Sequence, residues 1–562
     1  MSNKTGELVV KTEAKHAVAE KISADARHTS NSSSGDSVDD IDGDYGSYGF
    51  HVFADPAVAA HWAAVYDKAS YEGRHRFDPA FTWSATEEKA VRKRVDYRIM
   101  LWCWWMFVAL ELNRRNINRA ISDNMLPELG MTTNDFNYGQ TIFLLSFLAA
   151  ELPSGLISKK LGPDIWIPSI ICMWSIISAA QAGITSKTSY YVIRCLLGLL
   201  MGGFIPDTVL YITYWYKKKE LSIRLSWFWT VLSVCNIVGS LLAAGILQMR
   251  GIGGWSGWQW LFLIEGLFTL IIGILSWHFM PASPAQSAGR FRGGRHSPGW
   301  FNEREEKILV NRLLRDDPSK GDMHNRQAVT LPLLWKALKD YDLWPLYLLG
   351  LTTFIPATTT QNYLALILRT MGFSTFNANL LTIPSQFLYG TNLLIITWFS
   401  ERVNERAMVA SIANWWFLPF LIALVVLGTS ASNWVRYALL SGLLSYPYQH
   451  AIQVAWNSRN SNSVRTRAVS AALYNMFVQS GNIIASNVYR EEDRPFYISG
   501  NKVLLGLTCY NLVLYGLVKF YYVKRNAHRE RIWNKMTAEG KNDYIHNTKD
   551  EGAKRLDFRF AH

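Results

Sequence analysis

Tyr97-Arg-Ile-Met-Leu-Trp-Cys-Trp-Trp-Met-Phe-Val-Ala-Leu-Glu-Leu-Asn113 carries one cation near its start and one carboxylate near its end. Soluble core helices rarely need so many apolar residues in a row. A bilayer does, because about 20 residues at about 1.5 Å rise cross a hydrocarbon core of about 30 Å. Outward from this stretch the pattern recurs. Apolar runs lie at 97–117, 137–159, 165–184, 190–216, 222–248 and 258–280. A second set lies at 343–368, 376–399, 407–428, 434–456, 466–488 and 503–523. The spacing predicts an all-α polytopic membrane protein with 12 transmembrane helices in two six-helix bundles, 97–280 and 343–523. A cytoplasmic tail with a surface helix (1–96), a central loop (281–342) and a second tail (524–562) complete the layout. Two bundles joined by a long loop place a substrate between them.

Composition narrows the class. The chain has 562 residues, 49% hydrophobic and 14% aromatic, yet its mean hydropathy is only +0.02. Polar tails and the central loop dilute the spans. The net charge of +13 suits juxtamembrane Lys and Arg beside anionic lipid. No compact basic domain reads as a nucleic-acid binder. All five cysteines fall in apolar runs without a CxxC pair, so neither a disulfide framework nor a metal site is expected. HExxH, GxSxG and a complete P-loop are missing, which argues against an enzyme and against a cofactor. Without an ATP-driven domain, transport should be secondary.

Basic residues set the orientation. Lys217, Arg402, Arg406 and Arg459 fall on one side, joined by the flanks Arg92, Lys93, Arg94, Lys524 and Arg525 and by Arg290, Arg292 and Arg295. Both termini and the central loop are therefore expected in the cytoplasm of a multi-pass plasma-membrane protein. Residues 1–45 read as a disordered tail. Ser84-Ala-Thr-Glu87 has capping-box spacing and should start a helix. The aromatics Trp62, Tyr66, Tyr71, Phe77 and Trp83 are expected to pack on the cytoplasmic face rather than lie at the membrane interface. Glu303–Leu314 reads as a helical patch, and Glu265 as an anchor for the start of the sixth span.

Charged groups inside spans are expensive and mark function. Glu111, Arg114 and Arg115 lie deep in the first run, and Glu111 and Arg115 share a face at a spacing of four. A guanidinium fork suits carboxylate or sulfonate oxygens. The alternative puts these residues in an outer loop. Arg194 serves the cavity or pairs helices. Asp207 follows Pro206 in a span where Gly198, Gly202 and Gly203 permit close packing. Glu151, beside Pro153, reads as a gate or structural residue. The second half offers mainly neutral groups: Gln361, Asn362, Asn475, Gln479 and Asn482, with His450 as an anion ligand or a packed neutral ring.

Gly155-Leu-Ile-Ser-Lys-Lys-Leu-Gly162-Pro-Asp164 resembles the signature loop of the major facilitator superfamily. There Gly155 would permit close helix approach, while Lys159, Lys160, Gly162 and Asp164 would form a cytoplasmic gate motif. Ser400-Glu-Arg-Val-Asn-Glu-Arg406 is its degenerate counterpart in the second half. Arg114-Arg-Asn-Ile117, Glu151-Leu-Pro-Ser154, Arg194-Cys-Leu-Leu-Gly198, Gly202-Gly-Phe-Ile-Pro206 and Trp258-Gln-Trp-Leu-Phe-Leu-Ile-Glu-Gly266 resemble the fungal allantoate permease family. That family belongs to the anion:cation symporters of the superfamily. Asp316–Arg326, Tyr474-Asn-Met-Phe477 and Arg555-Leu-Asp-Phe-Arg559 are similar to its sulfonate and alternative sulfate transporters. Two positions depart from the family. Asn113 stands where relatives often place Asp, and Met201 where many carry Glu.

The resemblance implies proton-coupled uptake of a small organic or sulfur-containing anion by a monomer in the bilayer. Arg114, Arg115, Arg194, Gln361, Asn362, His450, Asn475 and Gln479 are the candidate substrate ligands. Glu111, Asp207 and Glu151 are the candidates for proton coupling. A carrier of allantoate, nicotinate, pantothenate or another carboxylate is the alternative, and a non-transporting nutrient sensor a more distant one.

Overall fold

The computed structural model describes residues 52–68, 71–286, 299–321, 335, 338–403, 405–461, 464–548 and 554–562. Expectations for residues 1–45, for Arg290, Arg292 and Arg295 and for positions 322–326 fall outside them, as does the Lys159 side chain. Thr82–Lys89 falls outside the larger compact unit and is described by itself. Within this segment Ser84 Oγ accepts from Glu87 N at 3.2 Å, and Ser84 N donates to Glu87 Oε2 at 2.9 Å, as the capping-box spacing predicts.

The larger unit comprises Val52–Phe81 and Ala90–His562. It begins with α1 (Pro56–Lys68). The first set of long helices is α2 (Leu101–Ala120), α3 (Thr133–Leu161), α4 (Pro163–Ala180), α5 (Lys187–Met201) with α6 (Phe204–Thr213), α7 (Lys218–Trp229) with α8 (Val231–Ile246), and α9 (Gly257–Phe279). α10 (Glu303–Asp316) follows in the central loop. The second set is α11 (Trp344–Thr352) with α12 (Ile355–Thr370), α13 (Thr375–Leu380) with α14 (Ile383–Val403), α15 (Ala407–Leu427), α16 (Asn433–Leu444) with α17 (His450–Asn460), α18 (Val464–Ala485) and α19 (Ile498–Lys535). Among the described residues, eight helical runs are long and apolar enough to cross a membrane. The four other predicted spans are helical where expected. They miss that measure because they carry several charges, as α2 does, or are polar or interrupted.

Side-chain caps start α3 and α5. Thr132 and Asp135 form a reciprocal cap on α3, and Ser186 and Ser189 one on α5. α3 and α5 then pack backbone to backbone. A Cβ on Gly198 would lie 2.4 Å from the Phe143 carbonyl oxygen, and one on Gly202 would lie 2.3 Å from that of Phe147. Glycine is thus required at both contacts. Gly155 is different, since a Cβ there meets nothing nearer than Asp207 Oδ1 at 3.9 Å. Close approach at this contact depends on Gly198 and Gly202, not on Gly155 of the signature loop. Gly162 (φ 92°) makes the turn from α3 into α4.

Hydrogen bonds between the halves gather at the end carrying loops 121–132 and 486–497. Thr133 N donates to Glu491 Oε2 at 2.7 Å, and Asn137 Nδ2 to the Tyr489 carbonyl at 2.8 Å. Tyr363 Oη bonds Asn137 Oδ1. Nearby, Glu128 accepts from Ser256 Oγ (2.6 Å) and Trp258 Nε1 (2.7 Å) and pairs with Arg250 at 2.8 Å. Burial works to raise the Glu128 carboxyl; these partners outweigh it and hold the group below the usual carboxylate range. They also anchor the start of α9. Glu265, expected in that role, instead lies two turns inside the helix, fully buried.

At the opposite end the central loop packs on the first half. Arg312 of α10 forks onto Glu220 at 3.0 and 3.1 Å. Tyr66 and Phe77 are buried against Val310 and Leu314, so these aromatics pack rather than lie at an interface. Asn311 fixes the same segment by accepting from Asp78 N and donating to the Arg76 carbonyl, both at 2.9 Å.

α19 runs 38 residues, well past the apolar window at 523. Its extension meets Asp342 through Arg525 and Arg529, at 3.2 and 3.3 Å. The last residues fold back onto it. Phe560 is 3% exposed, its backbone exchanges two hydrogen bonds with Asn526 (2.8 and 2.9 Å), and the Ala561 carbonyl accepts from Trp456 Nε1 at 2.7 Å. Phe→Ala at a buried site costs about 3–5 kcal/mol. Phe560→Ala is therefore expected to release this segment, so that trypsin cuts at Arg555 and Arg559 well before the rest of the chain. Unchanged cleavage would mean that the backbone bonds alone hold it.

Candidate functional site

A cavity of about 210 Å³ lies between the halves. One wall is a face of α2. Glu111, Arg114, Arg115 and Asn118 follow at helical spacing and all line it. The helix continues unbroken to Ala120, so these residues are not in an outer loop. Glu111 is 1% exposed and is the local counter-charge. Arg115 is held hard, with Nε 2.6 Å from Glu111 Oε2 and Nη1 3.2 Å from Asn236 Oδ1. Arg114 is held loosely. Its Nη1 lies 3.6 Å from Glu111 Oε1, and its guanidinium rests 5.2 Å from the centre of the Phe147 ring. The remaining donors of Arg114 meet no hydrogen-bond partner among the described residues.

The opposite wall contains five of the neutral or titratable residues expected there: Gln361, Asn362, His450, Asn475 and Gln479. Asn475, Gln479 and Asn482 present one face of α18 to the cavity. Asn482 Nδ2 donates to Gln479 Oε1 at 2.9 Å, and Asn118 Nδ2 bridges to Asn362 Oδ1 at 3.1 Å. His450 is stacked on Tyr448 (5.7 Å, 8°) and sits near the rings of Phe354 (5.6 Å) and Tyr474 (5.9 Å). Aromatic rings thus pack around the imidazole on several sides.

Two expected site residues do not reach the cavity. Arg194 is 0% exposed and lies behind the wall, over the Phe143 ring at 4.3 Å. Its Nη2 donates to Gln140 Oε1, and Gln140 is the residue that lines the cavity. Arg194 makes no ion pair among the described residues, and its Nε and Nη1 have no hydrogen-bond partner. Asp207 is turned away as well. Its Oδ2 accepts from Ser154 Oγ at 2.8 Å, and Trp166 Nε1 donates to the same Ser154 oxygen at 2.8 Å. Glu151, read as a gate or structural residue and as a candidate for proton coupling, lines the cavity beside Ile205 and Pro206. Asp207→Asn is accordingly expected to lower the melting temperature in detergent and to leave substrate affinity within about twofold, since a truncated buried partner costs about 1–3 kcal/mol. A large affinity change at unchanged stability would return Asp207 to the site.

The aromatic wall is what the sequence reading missed. Phe143 and Phe147 of α3 line the cavity, and Tyr389, Tyr446 and Tyr448 face them from the second half. Two signals pointed there. Phe143, Phe147 and Glu151 recur every four residues, and Pro447 sits between the two tyrosines. The helix is broken between Leu444 and His450, which turns Tyr446 and Tyr448 inward. Asn392 Nδ2 satisfies the freed Ser445 carbonyl at 2.6 Å. Irregular backbone at this depth is tolerated where it lines a cavity.

Among the described residues, no group of three or more His, Cys, Asp or Glu side chains could hold a metal ion. The Major Facilitator Superfamily profile matches residues 103–486. An uncharacterized transporter of Saccharomyces cerevisiae is 48% identical over 511 residues, 91% of this chain and 94% of that protein. An uncharacterized transporter of Schizosaccharomyces pombe is 26% identical over 86% of this chain and 95% of its own length. Among solved structures, the proton:xylose symporter XylE superposes with a TM-score of 0.57 at 14% identity, covering 75% of this chain and 95% of that one. At that identity the likeness speaks for the fold alone. With the profile covering most of the chain and a near-full-length relative at 48% identity, the chain belongs to the major facilitator superfamily of membrane transporters.

Proposed function

We propose that this transporter carries a small organic anion with a sulfonate, sulfate or carboxylate head, together with a proton, by alternating access. The observation that carries the reading is Arg114, a guanidinium inside the cavity with most of its donors uncommitted and with Glu111, its one carboxylate partner among the described residues, shared with Arg115. Positive charge is expensive at membrane depth unless compensated, and an anionic guest supplies the compensation. A co-transported proton offsets the guest's charge against an inside-negative potential, which opposes an anion by about 2.3 kcal/mol per 100 mV. Glu111 and Glu151 are the carboxylates on the cavity wall, and they are the proton carriers in this reading.

The aromatic wall bears on the substrate. Bare sulfate needs donors on every side, whereas Phe143, Phe147, Tyr389 and Tyr448 offer ring faces and edges. An organosulfonate with an apolar body fits better than the inorganic ion, and the resemblance to sulfonate transporters points the same way. The same rings support the second reading, an aromatic carboxylate such as nicotinate. In this proposal the protein is a monomer in the plasma membrane with both termini in the cytoplasm. The described state, joined at the end carrying loops 121–132 and 486–497, is then inward-facing.

Uptake of labelled taurine into transporter-deficient yeast expressing the protein tests the assignment. Excess isethionate should suppress uptake, allantoate should not, and a protonophore should abolish accumulation. Inhibition by nicotinate or allantoate alone would replace the sulfonate by a carboxylate. Insensitivity to every anion would sink the anion reading altogether.

A further inference from the structure

Arg115, Asn118 and Gln361 line not one cavity but two. Beyond this partition lies a second cavity of about 50 Å³, walled by polar side chains together with Leu364 and Ala365. Arg119, one helical turn past Arg115, is its second cation, and Asn236, Ser240, Asn379, Thr382 and Gln386 are its other polar residues besides the partition. Arg119 is 7% exposed. Its Nη2 reaches only the Cys235 and Asn236 carbonyls, both at 3.4 Å, and its Nη1 has no partner. It makes no ion pair among the described residues, although Glu265 lies in its vicinity. Room for the guanidinium comes from Gly239, where a Cβ would fall 2.5 Å from Nη2. A buried cation whose donors are unsatisfied is unfavourable unless something pairs with it.

We propose that this cavity is a second anion subsite, which takes the oxyanion head group of a transported molecule on the Arg119 fork. Arg115 adds positive charge from the partition. Gln386 is oriented for the task, because its Oε1 accepts from Asn236 Nδ2 at 2.9 Å and its own amide nitrogen remains available as a donor. The size sets the ligand class. A single water needs about 10–15 Å³ of such space, so about 50 Å³ admits a carboxylate, sulfonate or sulfate group and excludes an organic body. The walls come from α2 and α8 on one side and α12, α13 and α14 on the other. Rocking of the halves that opens this end takes the subsite apart, so it holds an anion only while this end is closed. The proposal rests on the reading of the protein as an anion carrier, but not on Arg114.

Equilibrium dialysis of radiolabelled inorganic sulfate against the purified full chain in lipid nanodiscs tests it. The wild type should bind two sulfates. Arg119→Gln should bind one, and Gln386→Leu, which removes no charge, should weaken one site about tenfold while sparing the other. Arg114→Lys should weaken only the other site. Should Arg119→Gln fail to fold, Gln386→Leu decides alone. Sulfate binding that responds to Arg114→Lys and to neither second-cavity variant overturns the subsite and leaves the central reading standing. Binding lost in the second-cavity variants and unchanged in Arg114→Lys supports the subsite and leaves the central reading to the taurine assay. No sulfate binding to the wild type overturns the subsite and leaves the central reading to the taurine assay.

Discussion

Arg114→Lys is expected to reduce the apparent substrate affinity in uptake by about 30- to 140-fold while the protein still reaches the membrane. The size follows from what lysine cannot do. A charge-assisted, two-pronged contact to an oxyanion is worth about 2–3 kcal/mol, and each 1.4 kcal/mol is about tenfold. Lysine keeps the charge but presents a single point donor on a flexible stem. It also gives up the planar guanidinium now resting 5.2 Å from the centre of the Phe147 ring. Stability should change little, because Arg114 makes only one distant contact to Glu111, at 3.6 Å. Arg115→Lys should behave differently. Its partner bonds of 2.6 and 3.2 Å are structural, so thermal stability should fall along with uptake. Measuring KM and melting temperature for both variants separates a guest ligand from a packing residue. Near-normal uptake by Arg114→Lys would place this guanidinium outside the substrate path.

Fold and site were legible in the sequence to different degrees, for physical reasons. The spans were readable because membrane crossing imposes a length on every apolar run. Their ends were not always readable, since apolarity and helicity stop at different places. α19 continues twelve residues past its apolar window to Lys535, because Arg525 and Arg529 find Asp342 outside the apolar layer. Charged residues inside the first run could be picked out as unusual, yet which way each points depends on the neighbouring helices. Arg114 and Arg194 look alike in sequence. One borders the cavity, and the other is sealed behind Gln140 and Phe143. Of the two coupling candidates Asp207 and Glu151, Glu151 lines the cavity and Asp207 does not, because Ser154, on the α3 turn after Glu151, takes Asp207 as its partner. Arg119 drew no notice in the sequence. At the outer end of a run that was already weakening, it resembled a flanking charge. Only the packing of Gly239 against it shows that it is enclosed.

Glu111→Gln is expected to uncouple accumulation from the proton gradient and to destabilise the empty transporter, with added substrate anion restoring much of the lost stability. Glu111 accepts from Arg115 at 2.6 Å and lies 3.6 Å from Arg114. As a carboxylate it competes with the guest for the same guanidinium groups. A proton on Glu111 removes that competitor, so proton and anion favour each other's binding, which is the linkage that symport requires. Glutamine imitates the protonated form permanently. Exchange of labelled for unlabelled substrate, which moves no net proton, should persist, while uptake driven by an acid exterior should lose its pH dependence. Removing one member of a buried ion pair costs about 3–5 kcal/mol when the other is left uncompensated. Arg114 and Arg115 are partly wetted by the cavity, at 20% and 27% side-chain exposure, so the loss should fall toward the lower end of that range. An anion in the cavity compensates them again. The melting temperature of Glu111→Gln should therefore rise more on adding substrate than that of the wild type does. If the variant keeps a normal pH dependence, the proton rides on Glu151 instead, and if substrate fails to rescue its stability, the anion does not sit on these arginines.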